Sequence, residues 1–359
     1  MNKIAELISR LCPDGVEFKT LDSLVSYVQP GPYIVSSTEY DTHYSTPVLT
    51  AGQSFILGYT NEEEGIYNAS SQKPVIIFDD FTTSFHWVDF DFKVKSSALK
   101  ILKIKDKQEA DFRYIYMAMK TIHFIPTNHM RHWISLYSKF EIPLPPLNIQ
   151  KEIVSILDSF TSLIGKMKQE EEMRKKQMEY YLNILICKDN VAARLFGDIG
   201  VVQRGKRVVR KELALQGCIP VFQNSLTPLG YYQYSNIPAN NTFIISAGTA
   251  GEIGFSAKPF WAADDCLVIS SVLCDSKYLY YYLKTQEQFL KSQIRGGAMK
   301  RLSRETIEKL EIPVPSLEKQ RQIASILDSF ETYISKLEKM IELRQKQYEY
   351  YREKLLTFE

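Results

Sequence analysis

The chain has 359 residues, 45% of them apolar and 24% charged, which suffices for two hydrophobic cores and excludes a disordered chain or a small disulfide-held scaffold. The 44 basic and 42 acidic residues leave a net charge of only +2, so nucleic acid would have to be bound through local patches. Five cysteines without a C-x-x-C pair predict mostly buried, reduced thiols in a cytoplasmic protein. No apolar run reaches the roughly 20 residues that span a bilayer, so no membrane contact is expected.

The first predicted domain, residues 1–147, mixes short β-like runs such as PVIIF at 74–78 with one aromatic-rich helix, which indicates an α+β domain. It contains 14 basic and 17 acidic residues, a net charge of −3. Polar side chains in two of its segments are candidates for DNA contacts, although each could equally belong to an ordinary solvated loop. These candidates are Thr82, Thr83, Ser84, His86, Asn128, His129 and Arg131.

A long helix is predicted over 148–189, after a proline-rich segment that ends the preceding strand. Apolar residues recur in it at spacings of three and four, which favours a coiled-coil seam over a helix of a globular core. The predicted pairing residues are Ile153, Leu157, Phe160, Ile164 and Arg174.

The second predicted domain, residues 190–314, has the same mixed α+β pattern but carries 15 basic and 10 acidic residues, a net charge of +5. On electrostatic grounds it is the stronger candidate for binding nucleic acid. Its basic stretches and amide side chains supply the candidates Arg204, Lys206, Arg207, Gln223, Asn224, Arg295, Lys300 and Arg301. The glycine-rich segment AGTAGEIG at 247–254 lacks the features of a phosphate-binding loop and is interpreted as a tight turn against a neighbouring segment.

The last segment, residues 315–359, repeats the first long helix. IPLPPLNIQKEIVSILDSF at 142–160 and IPVPSLEKQRQIASILDSF at 312–330 agree at 12 of 19 positions, and the same offset aligns RKKQMEYY with RQKQYEYY further on. The corresponding pairing residues are Ile323, Leu327, Phe330, Ile334 and Arg344. We hypothesise that Arg174 and Arg344, at the same position of both copies, fix the register of pairing.

Geometry predicts how the two helices run. A helix of about 38 residues is roughly 57 Å long, whereas the connector between 187 and 194 spans at most about 28 Å. A parallel pair would need a longer return path, so we expect two antiparallel helices that hold the two domains at opposite ends, related by an approximate two-fold axis.

No pattern of catalysis stands out. The acidic DDF at 79–81, with Asp91 and Lys93 downstream, only weakly matches the grouping of metal-dependent nucleases. The five histidines show no metal-ligand spacing, and no cofactor motif is recognised. We therefore expect no catalytic, cofactor or metal site, and no enzymatic activity.

The duplicated segments, the long helices after them and the opening VVQRGK of the second domain together resemble the specificity subunit of type I restriction-modification systems. The resemblance covers nearly the whole chain. It departs in the first domain, where Pro30 and Pro32 stand in place of Arg204 and Lys206. A phosphate contact at that position of the first domain is accordingly in doubt.

The resemblance implies two target-recognition domains that each read half of a split DNA sequence. It implies helices that act as spacer and docking surface for two methylation subunits, with restriction subunits added outside them. S-adenosylmethionine, ATP and Mg would then be bound by those partners and none of them by this chain. The alternative from the residues alone is a protein-binding scaffold without DNA specificity.

Overall fold

The computed structural model describes residues 2–52, 54–126, 130–187, 191–209, 211, 213–214, 216–294 and 301–358. They form two compact units: the first comprises Met1–Lys166 with Ile341–Glu359, and the second comprises Met167–Met340. Each unit therefore contains one α+β domain together with parts of both long helices.

The first unit contains a four-stranded antiparallel sheet of order β2-β8-β5-β6, a three-stranded sheet of order β4-β3-β7 and the antiparallel pair β1-β9. Its strands are β1 Phe18–Thr20, β2 Val25–Val28, β3 Thr46–Leu49, β4 Ile56–Thr60, β5 Val75–Asp79, β6 Phe85–Val88, β7 Lys93–Val94, β8 Leu99–Ile104 and β9 Glu141–Pro143. Its helices are α1 Asn2–Leu11, α2 Leu21–Leu24, α3 Phe112–Met119 and α4 His132–Ser135, with 3₁₀ turns at Gly31–Tyr33 and Tyr137–Lys139. The long helix α5, Leu147–Cys187, follows.

The second unit repeats this plan. Its sheets have the orders β11-β17-β14-β15 and β13-β12-β16, and β10 pairs with β18. Its strands are β10 Ala193–Leu195, β11 Gly200–Arg204, β12 Ile219–Phe222, β13 Gly230–Tyr232, β14 Asn241–Ile245, β15 Ile253–Ser256, β16 Trp261–Ala262, β17 Cys266–Ser271 and β18 Glu311–Pro313. Its helices are α6 Phe196–Ile199, α7 Ser276–Thr285, α8 Glu287–Ser292, α9 Arg304–Glu308 and α10 Leu317–Leu356. The predicted α+β class and internal repeat are thus confirmed.

The central strands of each unit are buried on both faces. In β5, Ile76 and Phe78 belong to one hydrophobic cluster, while Val75 and Ile77 belong to another. Successive side chains of a strand point to opposite sides of the sheet, so an uninterrupted apolar run marks a strand between two cores. The same division recurs in β17, whose alternate residues join two separate clusters.

The two long helices run antiparallel in both units. In the first unit, the ring of Phe160 near the start of α5 stacks on Tyr351 near the end of α10, at 5.4 Å. In the second unit, Tyr181 near the end of α5 stacks on Phe330 near the start of α10, at 5.5 Å. These two pairs are equivalent under the sequence repeat. The predicted direction of the helices is therefore confirmed.

At the start of each long helix, the predicted seam also packs against the α+β domain. Ile153 and Leu157 are fully buried in the main core of the first unit, together with side chains of its α+β domain. Ile323 and Leu327 occupy the same place in the second unit. Helix pairing and domain packing bury the same face of these turns, so the periodicity alone could not separate them. Ile164 and Ile334 are also buried, farther along each helix.

A buried glutamine ties each domain to its long helix. Gln150 donates to the carbonyl oxygen of Pro145 at 2.7 Å and accepts the amide of Asp111 at 2.8 Å. Gln320 makes the same two bonds with Pro315 and Asp275, at 2.8 and 2.7 Å. Both glutamines are fully buried. We call these groups the glutamine joints: Gln150, Asp111 and Pro145 in the first unit, and Gln320, Asp275 and Pro315 in the second.

Each joint also holds the start of the domain's aromatic helix. Asp111 caps α3 by accepting two backbone amides, and Asp275 caps α7 in the same way. Two residues after each cap, a cation reaches the aspartate of the repeated ILDSF motif: Arg113 pairs with Asp158 at 2.8 Å, and Lys277 pairs with Asp328 at 3.0 Å. Domain and helix are therefore joined by repeated polar contacts as well as by apolar packing.

Within the described ranges, no helix has the length and apolar character needed to cross a membrane.

The cysteines differ in exposure. Cys266 and Cys274 are buried, and burial raises the pKa of the Cys266 thiol to about 12. Cys218 is exposed and Cys12 is half-buried. Cys218, just before β12, is thus an exception among thiols that were expected to be mostly buried.

Candidate nucleic-acid interface

The first group of candidates lies in the turn between β5 and β6. The Asp79 carboxylate accepts the backbone amides of Phe81 and Thr82, at 2.8 and 2.9 Å. Thr82 is exposed, and its hydroxyl donates to the hydroxyl of half-buried Ser84 at 3.1 Å. These side chains are placed at the surface by a well-bonded turn.

Thr83 lies in the same turn but is largely buried. Its side chain is buried, its hydroxyl donates to the Thr82 carbonyl oxygen at 2.7 Å, and its φ of 58° lies in the left-handed region. A β-branched residue is uncommon there. Thr83 is therefore less available to DNA than predicted, because only a small part of its side chain is exposed where it lines a cleft with Ser84 and His86.

Asp80 brings Arg131 next to this turn. The carbonyl oxygen of Asp80 accepts the amide of His132, and its carboxylate accepts the amide of Trp133 at 2.9 Å, so the turn holds the start of α4. Arg131 immediately precedes α4 and is exposed. The Asp80 carboxylate also lies 3.2 Å from the Lys100 ammonium, with both side chains buried. Two segments that are about 50 residues apart in the sequence thus present one surface.

The same surface contains cations that the sequence did not identify. A cleft of about 430 Å³ is lined by Ser84 and His86 together with Lys120 and Arg352. Arg352 comes from the end of α10, which the antiparallel arrangement returns to the first unit. His86 is less available than predicted, because its Nε2 donates to the Gly52 carbonyl oxygen at 3.1 Å and its ring stacks on Phe55.

In the second unit, the basic stretch after β11 is exposed but anchored by its backbone. Gly205 packs so closely on Ala263 that a Cβ would lie 2.1 Å from its carbonyl oxygen. The Lys206 amide donates to Ala262, and the Lys206 carbonyl oxygen accepts the Trp261 indole at 2.8 Å. These bonds leave the side chains of Lys206 and Arg207 exposed.

The turn at Asp264 and Asp265 collects three other candidates. Arg204 donates to the Asp264 carbonyl oxygen at 2.7 Å, and Gln223 donates to the Asp264 carboxylate at 3.5 Å. Arg301 lies 3.4 Å from the Asp265 carboxylate, which offsets part of its charge. Arg204 and Arg301 were predicted from separate segments, and the fold brings both to this turn.

Asn224 is exposed beside the glycine-rich loop. Its carbonyl oxygen accepts the Thr249 amide at 2.9 Å, and a Cβ at Gly248, where φ is +85°, would clash with Asn224. The interpretation of 247–254 as a tight turn is thus confirmed. This loop joins β14 to β15 and corresponds by topology to the turn containing Thr82 in the first unit.

Four candidates, Asn128, His129, Arg295 and Lys300, lie outside the described residues. Across the ranges that are described, no group of three or more His, Cys, Asp or Glu side chains is arranged to hold a metal ion. The arrangement instead offers exposed cations, hydroxyls and amides on turns, the groups that contact phosphates and base edges.

Comparison with known proteins identifies the family. The type I restriction modification DNA specificity domain matches the chain twice, at residues 13–173 and 189–345. The EcoR124I/EcoR124II specificity subunit of Escherichia coli is 36% identical over 388 residues, covering 96% of this chain and 95% of that subunit. A crystal structure of the type I restriction-modification S subunit from M. genitalium has the same fold, with a TM-score of 0.73 at 17% identity and coverage of 95% and 96% of the two chains. A structure from a study of complex assembly in the type I R-M system gives a TM-score of 0.51 at 14% identity, with coverage of 96% and 98%.

One copy of the family domain falls mainly on the first unit and the other mainly on the second. The chain therefore belongs to the family of type I restriction-modification specificity subunits, the DNA sequence-recognition subunits of those systems. The resemblance drawn from the repeated segments is confirmed.

Proposed function

We propose that each unit of this chain reads one half of a bipartite DNA target. In the first unit, the reading surface comprises Thr82, Ser84, Arg131, Lys120 and Arg352. In the second unit, it comprises Lys206, Arg207, Gln223, Asn224 and Arg204 around the Asp264 turn. Arginine and lysine would contact phosphates or guanine, while the amides of Gln223 and Asn224 suit adenine.

One observation carries this proposal: the same structural plan occurs twice, but the candidate surfaces differ. The sheet orders, the glutamine joints and the helix contacts repeat, whereas the turn of Thr82 is replaced by the glycine loop beside Asn224. A repeated frame with different contact residues is what the recognition of two different half-sites requires.

The long helices complete the proposed function. They set the distance between the half-sites and dock two methylation subunits, to which restriction subunits are added. Methylation with S-adenosylmethionine and ATP-driven cleavage with Mg belong in this proposal to those partners, and the present chain supplies recognition. Its small net charge fits an assembly in which the partners share the phosphate contacts.

Exchange of one domain tests the assignment of half-sites. Residues 196–310 are replaced by those of a relative that keeps an aspartate at the position of Asp275, so that β10, β18 and Gln320 remain native. Because this segment contains only the second reading surface, one half of the methylated sequence changes and the other half is retained. Methylation mapping of a host genome expressing the hybrid with its methylation subunits measures this.

The reciprocal exchange of residues 21–140 is the matched control, and it changes the opposite half. If either exchange alters both halves of the target, the assignment of one half-site to each unit is wrong.

A further inference from the structure

A second cleft in the first unit has no part in the proposed reading surface. It has a volume of about 540 Å³ and lies where β5 begins, β8 ends, and the helices α3 and α5 start. The turn of Thr82 follows the opposite end of β5. Clefts of roughly 300–1,000 Å³ are typical of small-molecule sites.

Four lysines line this cleft: Lys73, Lys103, Lys107 and Lys151. No carboxylate of the described residues lies within 4.0 Å of their ammonium groups. Lys103 lies over the Tyr67 ring at 5.3 Å, and Lys107 approaches the Gln72 carbonyl oxygen at 3.4 Å. This concentration of positive charge occurs in a domain whose net charge is −3.

Two other charged groups, Asp111 and Arg113, line the cleft and have partners of their own. The Asp111 carboxylate accepts the amides of Arg113 and Tyr114, and the Arg113 guanidinium is paired with Asp158 at 2.8 Å. The helix α5, 41 residues long, begins at Leu147 on the cleft wall. The start of a helix carries partial positive charge, which adds to the field of the lysines.

Aromatic side chains form part of the wall. Trp87 and Phe112 line the cleft with ring centroids 5.4 Å apart, and Trp87 is half-buried. An aromatic wall beside several ammonium groups without a carboxylate partner suits a ligand with a flat organic part and a phosphate.

We propose that this cleft binds a phosphate ester of nucleotide size. The lysines contact the phosphate, and Trp87 and Phe112 contact the organic part. The phosphate ester is either a free nucleotide or a nucleotide within a strand, and both sources offer the same chemistry to the cleft.

The position of Lys103 is not basic in the second unit. The sequence repeat aligns Val28 with Val202, which pair with Ile101 and Ile269 in their sheets. Two residues further, Lys103 of β8 therefore corresponds to Ser271 of β17. The Ser271 hydroxyl donates to the Ile199 carbonyl oxygen at 2.6 Å and supplies no positive charge.

Calorimetric titration of the full-length chain with adenosine monophosphate at low salt tests the proposal. The double variant Lys103→Gln/Lys107→Gln loses two charge-assisted bonds to phosphate and weakens binding by at least about tenfold. The control Lys139→Gln/Lys309→Gln removes the same charge from exposed positions outside the cleft, and it changes affinity by less than about twofold. Adenosine, which lacks the phosphate, binds more weakly than the monophosphate.

Lys151→Gln provides an independent variant, because Lys151 is exposed on α5 and its loss leaves the Lys103 contact with Tyr67 intact. A short duplex without the target sequence distinguishes the two sources. Displacement of the monophosphate by the duplex assigns the cleft to a strand, and lack of displacement assigns it to a free nucleotide. The proposal is overturned if the lysine variants bind both the monophosphate and the duplex as tightly as the control variant does.

Discussion

Gln150 and Gln320 show why a polar residue persists in the core of each unit. An amide side chain donates and accepts at once, so a single residue satisfies the Pro145 carbonyl oxygen and the Asp111 amide where no water reaches them. Either group would be costly to bury unpaired. The same reasoning applies to Gln320 with Pro315 and Asp275.

The variant Gln150→Leu is expected to lose about 2–6 kcal/mol of unfolding free energy. Leucine is similar in size but leaves a buried donor and a buried acceptor unpaired, at about 1–3 kcal/mol each. Urea unfolding of the full chain measures the loss. Hydrogen exchange locates it, because the Asp111 amide loses its acceptor and exchanges faster.

Gln169→Leu is the control, because Gln169 is exposed on the same helix. Gln320→Leu repeats the experiment in the second unit and is expected to cost a similar amount. Equal stabilities of the Gln150 and Gln169 variants would show that the joint contributes nothing.

At the scale of the helices, the two copies differ in one polar cluster. In the second unit, the Tyr333 hydroxyl of α10 donates to the Glu170 carboxylate of α5 at 2.7 Å, and Arg174 lies over the Tyr333 ring at 5.3 Å. The repeat places Leu163 and Met340 at the positions of Tyr333 and Glu170. Arg174 and Arg344 each donate to the glutamine three residues on in their own helix, at 2.9 and 2.6 Å. The hypothesis that both arginines fix the register of pairing stays a prediction. Of the two, Arg174 contacts the other helix, through the Tyr333 ring.

The variant Tyr333→Leu places in the second unit the leucine that the first unit has at the equivalent position, Leu163. Titration of Glu170 then tests the cluster. The Tyr333 hydroxyl, and then the Arg174 guanidinium, hold the pKa of Glu170 below its ordinary value. A lowered folded-state pKa stabilises the protein above the unfolded pKa, and this contribution is lost as the pH falls through the folded value. The variant is therefore expected to raise the pKa of Glu170, measured by carboxyl NMR.

Glu172 is an internal reference in the same spectra. Its pKa is lowered by Lys176 on its own helix, so it is expected to stay unchanged in the variant. If the pKa of Glu170 also stays unchanged, the cross-helix bond does not form in solution.

The repeated segments made the helices predictable. Two copies of one apolar pattern defined their register, and the short connector defined their direction, so the pairing of Phe160 and Phe330 with the partner helix followed. The glutamine joints were not predicted although both glutamines lie in the repeated segment. From the sequence alone, a glutamine after a proline-rich turn is expected to be exposed. Its burial follows only from the three-dimensional fold.

The recognition surfaces were harder to predict, because loop side chains have no periodicity. Thr82, Thr83 and Ser84 are small hydroxyl residues that the sequence does not distinguish, yet Thr83 has a left-handed backbone and a buried side chain. Lys120 and Arg352 were missed because they reach the cleft from the ends of two different helices. Antiparallel helices return the end of α10 to the first unit. That direction could have indicated that Arg352 lies near the first domain.

At the scale of the whole molecule, the proposed spacing of the half-sites depends on helices that set the distance between two reading surfaces. α5 has 41 residues and α10 has 40, and each is tied to its own domain by a glutamine joint. A rigid attachment at each domain is what allows helix length to determine the spacing of half-sites. Loose attachment would let either domain adjust to the DNA, and the spacing would vary.

Removing one heptad from each helix tests this claim most directly. Deleting 167–173 from α5 and 338–344 from α10 preserves the register of the stacked aromatic pairs and shortens the helices by about 10 Å. At about 3.4 Å per base pair, the gap between the two half-sites is expected to shorten by about three base pairs, with both half-site sequences retained. Methylation mapping with the folded variant and its methylation subunits gives the gap. An unchanged gap would contradict the proposal that the helices set the spacing.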